Sequence, residues 1–256
     1  MVYLLLKVFI VVLTAAIAIQ AQGDVSSRAT ALNDQGVSFY INGKYSEAIE
    51  ILTRSAELNP RNATTQFNLG MAYFKDCEFD KALLAFIRVT EMRPDYALGF
   101  NQVGVIYSEL SQDKNALQAF ETAARLAPSD VRILRNLGGT LIKFERYKDA
   151  VEVLEKARTL EPENSDVRIH LGYSYAKLEK YKKAIGEITE AVRLDPENEE
   201  ARFFLGTLYV CNRDKDGAIA QQRVLDSMNR DLGRRLFNVI HSDKIVDVSA
   251  YVGKGQ

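Results

Sequence analysis

The chain has 256 residues, 26% charged and 47% hydrophobic, with a formal net charge of −1. That balance excludes a strong electrostatic drive toward nucleic acid or anionic lipid. Two histidines and two scattered cysteines cannot build a metal site at ordinary ligand spacing, so no metal or cofactor is expected.

The chain opens on "MVYLLLKVFIVVLTAAIAIQAQ". Lys7 supplies a weak basic region, Val8 to Ile19 an apolar core, and "IQA" a small-residue cleavage site. Residues 1–21 therefore read as a secretory signal peptide, and the expected location is secreted or periplasmic. The apolar core is short for a spanning helix, which needs roughly 20 residues. Val2 to Leu6 are also apolar, however, so an uncleaved membrane anchor is the alternative. No cysteine follows the cleavage site, which argues against a lipid-anchored protein. Residues 22–28 read as a short polar linker.

From residue 29 the chain repeats itself. Glycines at 36, 70, 104, 138, 172 and 206 are each 34 residues apart. Alanines at 48, 82, 116, 150, 184 and 218 keep the same step, as do all five prolines, at 60, 94, 128, 162 and 196. The units are 29–62, 63–96, 97–130, 131–164, 165–198 and a degenerate 199–228. With Ala29 as position 1, positions 4, 7, 8 and 11 share one face of a first helix. Positions 17, 20, 24 and 27 share one face of a second. Small residues at 8 and 20 let the two helices approach, and proline at 32 ends the second helix. Glycine in a helix interior costs about 0.5–1 kcal/mol relative to alanine, so Gly70 and its equivalents are expected at close helix–helix contacts.

The later segments depart from the pattern. Unit 6 carries Lys215 at position 17 and Gln222 at position 24, and Arg230 stands where the next proline would fall. Residues 229–241 then offer Asn229 as an N-cap, with Leu232, Leu236, Phe237 and Ile240 on one side. They read as a helix covering the last unit, because a repeat array must shield its open end. Residues 242–256 form a tail with no legible role.

Position 8 glycine, position 11 aromatic or leucine, position 20 alanine, position 24 large apolar and position 32 proline resemble the tetratricopeptide repeat (TPR), whose pattern is W-x2-L-G-x2-Y…A-x3-F…P. The resemblance covers about 200 of the 256 residues. It implies an all-α, right-handed helical-repeat solenoid of six helix-turn-helix units with a C-terminal capping helix. It also implies a non-enzymatic protein-interaction module, an adaptor or scaffold holding a peptide or partner helix in a concave groove. An envelope chaperone or assembly factor is a second reading, and a regulatory or substrate-binding subunit of a separate enzyme is a third. The partner would be a protein or peptide; a membrane enters only if the N-terminal segment stays uncleaved.

In TPR proteins positions 2, 5, 6, 9, 12 and 13 of the first helices tend to face the groove. Position 6 reads Asp34, Asn68, Gln102, Asn136, His170 and Phe204, which resembles the asparagine ladder that some members use on an extended peptide backbone. Amides suit that task because each offers donor and acceptor. Alternatively, asparagine at this position is simply common in the repeat. Val37, Tyr40, Phe67, Met71 and Phe74 would add an apolar surface unless neighbouring repeats bury them. Asn101, Val105 and Tyr173 occupy further groove positions. Arg132 and Arg135, three residues apart, could receive a carboxylate unless Asp166 already neutralises them. The pattern that clamps the acidic tails of cytosolic heat-shock chaperones is missing, since the first unit offers Asn33 and Val37 where lysine and asparagine are required.

Catalytic constellations fail on inspection. "HSD" at 241–243 resembles triad chemistry in composition only, because adjacent side chains do not converge. Cys77 and Cys211 are four units apart, too far along a rigid array for an internal disulfide.

Overall fold

The computed structural model describes residues 2–242, with side chains from residue 22 onward. Every regular element among them is a helix. They are α1 (Val2–Ile41), α2 (Tyr45–Leu58), α3 (Ala63–Lys75), α4 (Phe79–Met92), α5 (Ala97–Glu109), α6 (Asp113–Leu126), α7 (Val131–Lys143), α8 (Tyr147–Leu160), α9 (Ser165–Lys177), α10 (Tyr181–Leu194), α11 (Glu199–Cys211), α12 (Lys215–Met228) and α13 (Arg230–Ile240). Each unit of the sequence is thus a pair: a first, or A, helix and a second, or B, helix. The chain divides into two compact bodies, Met1–Leu126 with units 1–3 and Ala127–Gln256 with units 4–6 and α13.

Residues 22–28, expected as a linker, are helical and exposed within α1. Nothing in that stretch breaks a helix, and Ser27 and Thr30 donate their hydroxyls back to the carbonyls of Gly23 and Ser26. Packing begins at Ala29, which is buried and whose carbonyl accepts from Ser55 Oγ of α2 at 2.7 Å. The signal-peptide reading of residues 1–21 lies outside the residues with described side chains, and residues 243–256 of the tail lie outside the described residues. From residue 22 onward, no described helix is long and apolar enough to cross a membrane.

Local chemistry sets each turn. Every A helix ends in a residue with left-handed φ at position 15: Gly43, Cys77, Ser111, Glu145, Glu179 and Arg213. The next backbone N–H reaches five residues back, as in Glu78 to Tyr73 (2.9 Å) and Arg146 to Leu141 (2.9 Å), so terminal carbonyls are satisfied by a Schellman-type closure. Only Gly43 adopts this conformation without strain, since an L-residue there pays roughly 1–2 kcal/mol. Ser111→Gly should therefore raise stability by up to about 1 kcal/mol, less the glycine's extra unfolded-state entropy. Thermal unfolding followed by circular dichroism checks this, and a lowered melting temperature would contradict it.

At the other end of each unit, the B helices of units 1, 2, 4 and 5 stop one residue before proline, at C-caps Asn59, Arg93, Glu161 and Asp195. The following A helices are then capped by side chains at position 34. Asn62, Asp130, Asn164 and Asn198 accept from backbone N–H groups of the new first turn. Tyr96 holds that position without a side-chain cap bond.

The glycines do what the spacing requires. A methyl group on Gly36 would lie 2.5 Å from Leu52, on Gly70 2.9 Å from Phe86, and on Gly104 2.7 Å from Phe120. In the second body, a methyl on Gly138 would lie 2.6 Å from Leu154, and one on Gly172 2.6 Å from Ile188. In each pair the position-24 side chain fills the hollow over the position-8 glycine. Unit 6 solves the problem differently. Its position 24 is Gln222, which bonds to Asp226 on the helix surface. The hollow over Gly206 is filled instead by Leu236 of α13, which is fully buried. Helix α13 can approach because Gly233 lies against α12, where a methyl group would meet Asp226 Cα at 2.9 Å. Asn229 accepts from the N–H groups of Asp231 and Leu232, and so caps α13 as its sequence suggests.

Candidate functional site

Positions 5, 6, 9 and 12 of the A helices carry the candidate surface in each body. In the first body, Asn68 Nδ2 donates to Asn33 Oδ1 of the preceding unit at 3.0 Å. Gln102 Nε2 donates to Met71 Sδ at 2.9 Å, and Asn101 Nδ2 donates to Gln102 Oε1 at 3.2 Å. The amides thus form a polar thread across neighbouring A helices. Asn68 and Gln102 are half-buried, as is Val105; Asn101 is buried and offers little surface.

The apolar candidates are partly enclosed. Phe67 meets Phe86 edge-on at 5.3 Å and Tyr96 at 5.8 Å. Phe67, Met71 and Phe74 all pack on the core cluster of Ala82, Phe86, Val103, Ile106 and Ala119, and each keeps some exposure. Tyr40 packs on the cluster around Leu52 and Leu69, tilted against Tyr45 at 5.7 Å, and burial raises its phenol pKa above the ordinary value. Val37 is half-buried beside them in sequence register. Apolar side chains that support the core and still face solvent suit a contact surface of limited depth.

In the second body the arginines have partners within the chain. Arg135 Nη1 donates to Asp166 Oδ2 at 2.8 Å, which is the neutralising contact anticipated from the spacing. Arg132 donates to Asp130 Oδ2 at 2.8 Å, on the carboxylate that also caps α7. That guanidinium is among the causes that hold the Asp130 carboxyl below its usual range, and it comes first. Both arginine pairs are solvent-exposed, and such pairs contribute only about 0–1 kcal/mol, so exchange for an incoming carboxylate is inexpensive. His170 Nδ1 lies 2.8 Å from the Asp166 carbonyl, and its ring passes 3.4 Å from where a methyl on Gly139 would stand. Burial pushes the His170 imidazole below its ordinary pKa, against the opposing pull of Asp166. Asn136 is half-buried, and its carbonyl accepts from Thr140 Oγ1. Tyr173 is only 7% exposed, lying between Tyr147 and Phe204 at 6.3 Å from each, and belongs to the core. Phe204, the sixth ladder position, is buried too.

Sequence spacing did not disclose the thread's pairing. Asn33 at position 5, rather than Asp34 at position 6, receives Asn68, and a sulfur rather than an amide receives Gln102. His241 of the "HSD" stretch stacks on Phe237 at 4.1 Å and Ser242 donates to the Val239 carbonyl, while Asp243 lies outside the described residues.

Family models described as TPR repeat or tetratricopeptide repeat match residues 36–76, 114–165, 141–190 and 169–227. The chain belongs to the tetratricopeptide repeat family. No curated protein matches this TPR chain in sequence. Solved TPR structures are similar in fold. PilF of Pseudomonas aeruginosa superposes with a TM-score of 0.71 at 20% identity, over 84% of this chain and 98% of its own. YrrB, described as a TPR protein with an unusual peptide-binding site, gives 0.65 at 21% identity, over 73% and 97%. MamA of Desulfovibrio magneticus gives 0.61 at 23% identity, over 67% and 97%.

Proposed function

We propose that this TPR chain is a non-enzymatic protein-interaction scaffold whose A-helix faces hold an extended peptide or a partner helix. The observation that carries this reading is the polar thread of the first body, Asn33–Asn68 and Asn101–Gln102–Met71, flanked by half-exposed Phe67 and Phe74. An amide that donates to its neighbour still has acceptor capacity for a peptide N–H, and the flanking rings supply apolar contact beside it. Exposed Arg132 and half-buried Arg135 add guanidinium donors for a partner's carboxylate in the second body. The similarity to YrrB, described as having a peptide-binding site, supports the same reading. Export to the envelope or beyond is part of this proposal and rests on the N-terminal sequence; a native protein beginning at Gln22 is its signature.

Photo-crosslinking side chains placed at Asn68 and Val105 of the full-length protein, in its native host, test the surface. One partner captured from both positions, and weakened by Asn68→Ala with Gln102→Ala, is the expected result. With hydrogen bonds of roughly 0.5–1.5 kcal/mol each, the double variant should lose about tenfold in affinity. Capture only from B-helix positions would remove the A-helix face from consideration. Many weak clients and suppressed aggregation would instead favour the chaperone reading.

A further inference from the structure

The ladder position of the A helices directs its donors inward. In the first body Asn68 gives an Nδ2 proton to Asn33 and Gln102 an Nε2 proton to Met71 Sδ. In the second body the position-6 residue of unit 5 is His170, whose Nδ1 lies 2.8 Å from the Asp166 carbonyl one turn back. A carbonyl oxygen only accepts, so Nδ1 carries the proton and the bond fixes the tautomer. Nε2 is therefore an acceptor, and it has no hydrogen-bond partner among the described residues. Each of these three side chains keeps acceptor capacity, which is what a peptide N–H needs.

Nε2 also borders a gap. Position 9 holds Val37, Met71 and Val105 in the first body and Tyr173 in unit 5, but Gly139 in unit 4. Apart from α7 itself, the atoms within 4 Å of where a Cβ on Gly139 would stand are His170 Nε2 at 3.4 Å and Cδ2 at 3.7 Å. The half-buried surface of α7 beside Nε2 is thus bare backbone, where a second backbone can come close. Asp166 of α9 and Arg135 of α7 are the charged groups that act on the ring, and they pair with each other at 2.8 Å. No charged group of α8, α10 or α11 adds to them among the described residues. Burial is the largest influence, and it keeps the imidazole neutral at pH 7.

We propose that His170 Nε2 accepts a backbone N–H of the partner peptide over Gly139, and that protonation of the ring closes this contact. Protonation puts an N–H on Nε2, and two donors then face each other. The amides of Asn68 and Gln102 do not titrate, whereas the imidazole does, so the contact in the second body weakens as pH falls through the His170 pKa. This inference rests on the A-helix reading above and adds a proton-dependent contact to it.

The chain has two histidines, so isotope-labelled rings can be followed one by one. The probe is acetyl-Val-Ser-Val N-methylamide, uncharged and inclined to extend, titrated into full-length protein. Saturation should move the Nε2 resonance of His170 together with the backbone amide of Gly139. His241 is the control: it makes the same Nδ1 contact to a carbonyl one turn back, and its resonances should stay. Because the probe takes the neutral ring, it should also lower the pH midpoint of His170. His170→Phe keeps a ring without the acceptor and should weaken the probe at least about threefold, while His170→Gln restores an acceptor and should bind within about twofold of wild type. The pH dependence of binding should vanish in both. The wild-type titration decides the matter even if a variant fails to fold. A shifted Gly139 amide with an unmoved Nε2 resonance, or a midpoint that stays or rises, would overturn the role of His170 and leave the A-helix surface standing. If the amides of Asn68, Gln102 and Gly139 all fail to shift, the surface reading falls with it.

Discussion

Replacing Leu236 with alanine should destabilise the second body by about 2–5 kcal/mol, the range for emptying a fully buried leucine site. The cost arises because Leu236 supplies the atoms nearest to Gly206 and has the Phe203, Leu225 and Val239 cluster around it. Amide exchange in α11, α12 and α13 is the measurement, since a chain of two bodies need not unfold in one step. Protection should fall across all three helices together. Gln222→Ala, at the position where the repeat pattern would place the large core residue, should cost under about 0.5 kcal/mol because Gln222 bonds to Asp226 on the helix surface. If the two variants behave alike, α13 is an appendage and not part of the last unit.

Gly138→Val should be comparably severe. The first carbon of the new side chain would stand 2.6 Å from both Cδ2 and Cγ of Leu154, inside van der Waals contact. Overpacking of this kind costs about 1–3 kcal/mol, and the branched methyls add to the clash. Leu154 is itself fully buried, so it has no solvent-facing rotamer to retreat to. The melting temperature should drop while the helical signal of the folded protein persists. Gly138→Val combined with Leu154→Ala should cost less than the two single variants added together, because the valine then fills part of the space that Leu154 vacates. A neutral Gly138→Val would show that α7 and α8 are farther apart than the 34-residue pattern demands.

How far the sequence alone reaches follows from the range of the forces involved. Helix pairing, the turn prolines and the glycine contacts were legible because each depends on residues within one repeat, copied through units 1 to 5. The left-handed residues were not, since Cys77, Glu145 and Arg213 carry no side-chain preference for that conformation. Only Gly43 announces it. Polar composition does not disclose the continuity of α1 through residues 22–28, because solvent-facing residues suit an exposed helix as well as a linker and none there interrupts the hydrogen-bond ladder. At the candidate site, the Arg135–Asp166 pair was foreseeable from a single interval. The enclosure of Tyr173 was not, because it needs the aromatic rings of both Tyr147 and Phe204.

The way the last unit closes restricts how such a chain can change in length. A new copy inserted among units 1 to 5 brings its own glycine and its own large residue at position 24, and leaves the end untouched. A copy appended after residue 228 would displace α13, exposing Gly206 beneath a glutamine that cannot fill the gap. Gene duplication could therefore lengthen this array from within but not at its finish, and the terminating helix fixes which unit is last, whatever number precede it.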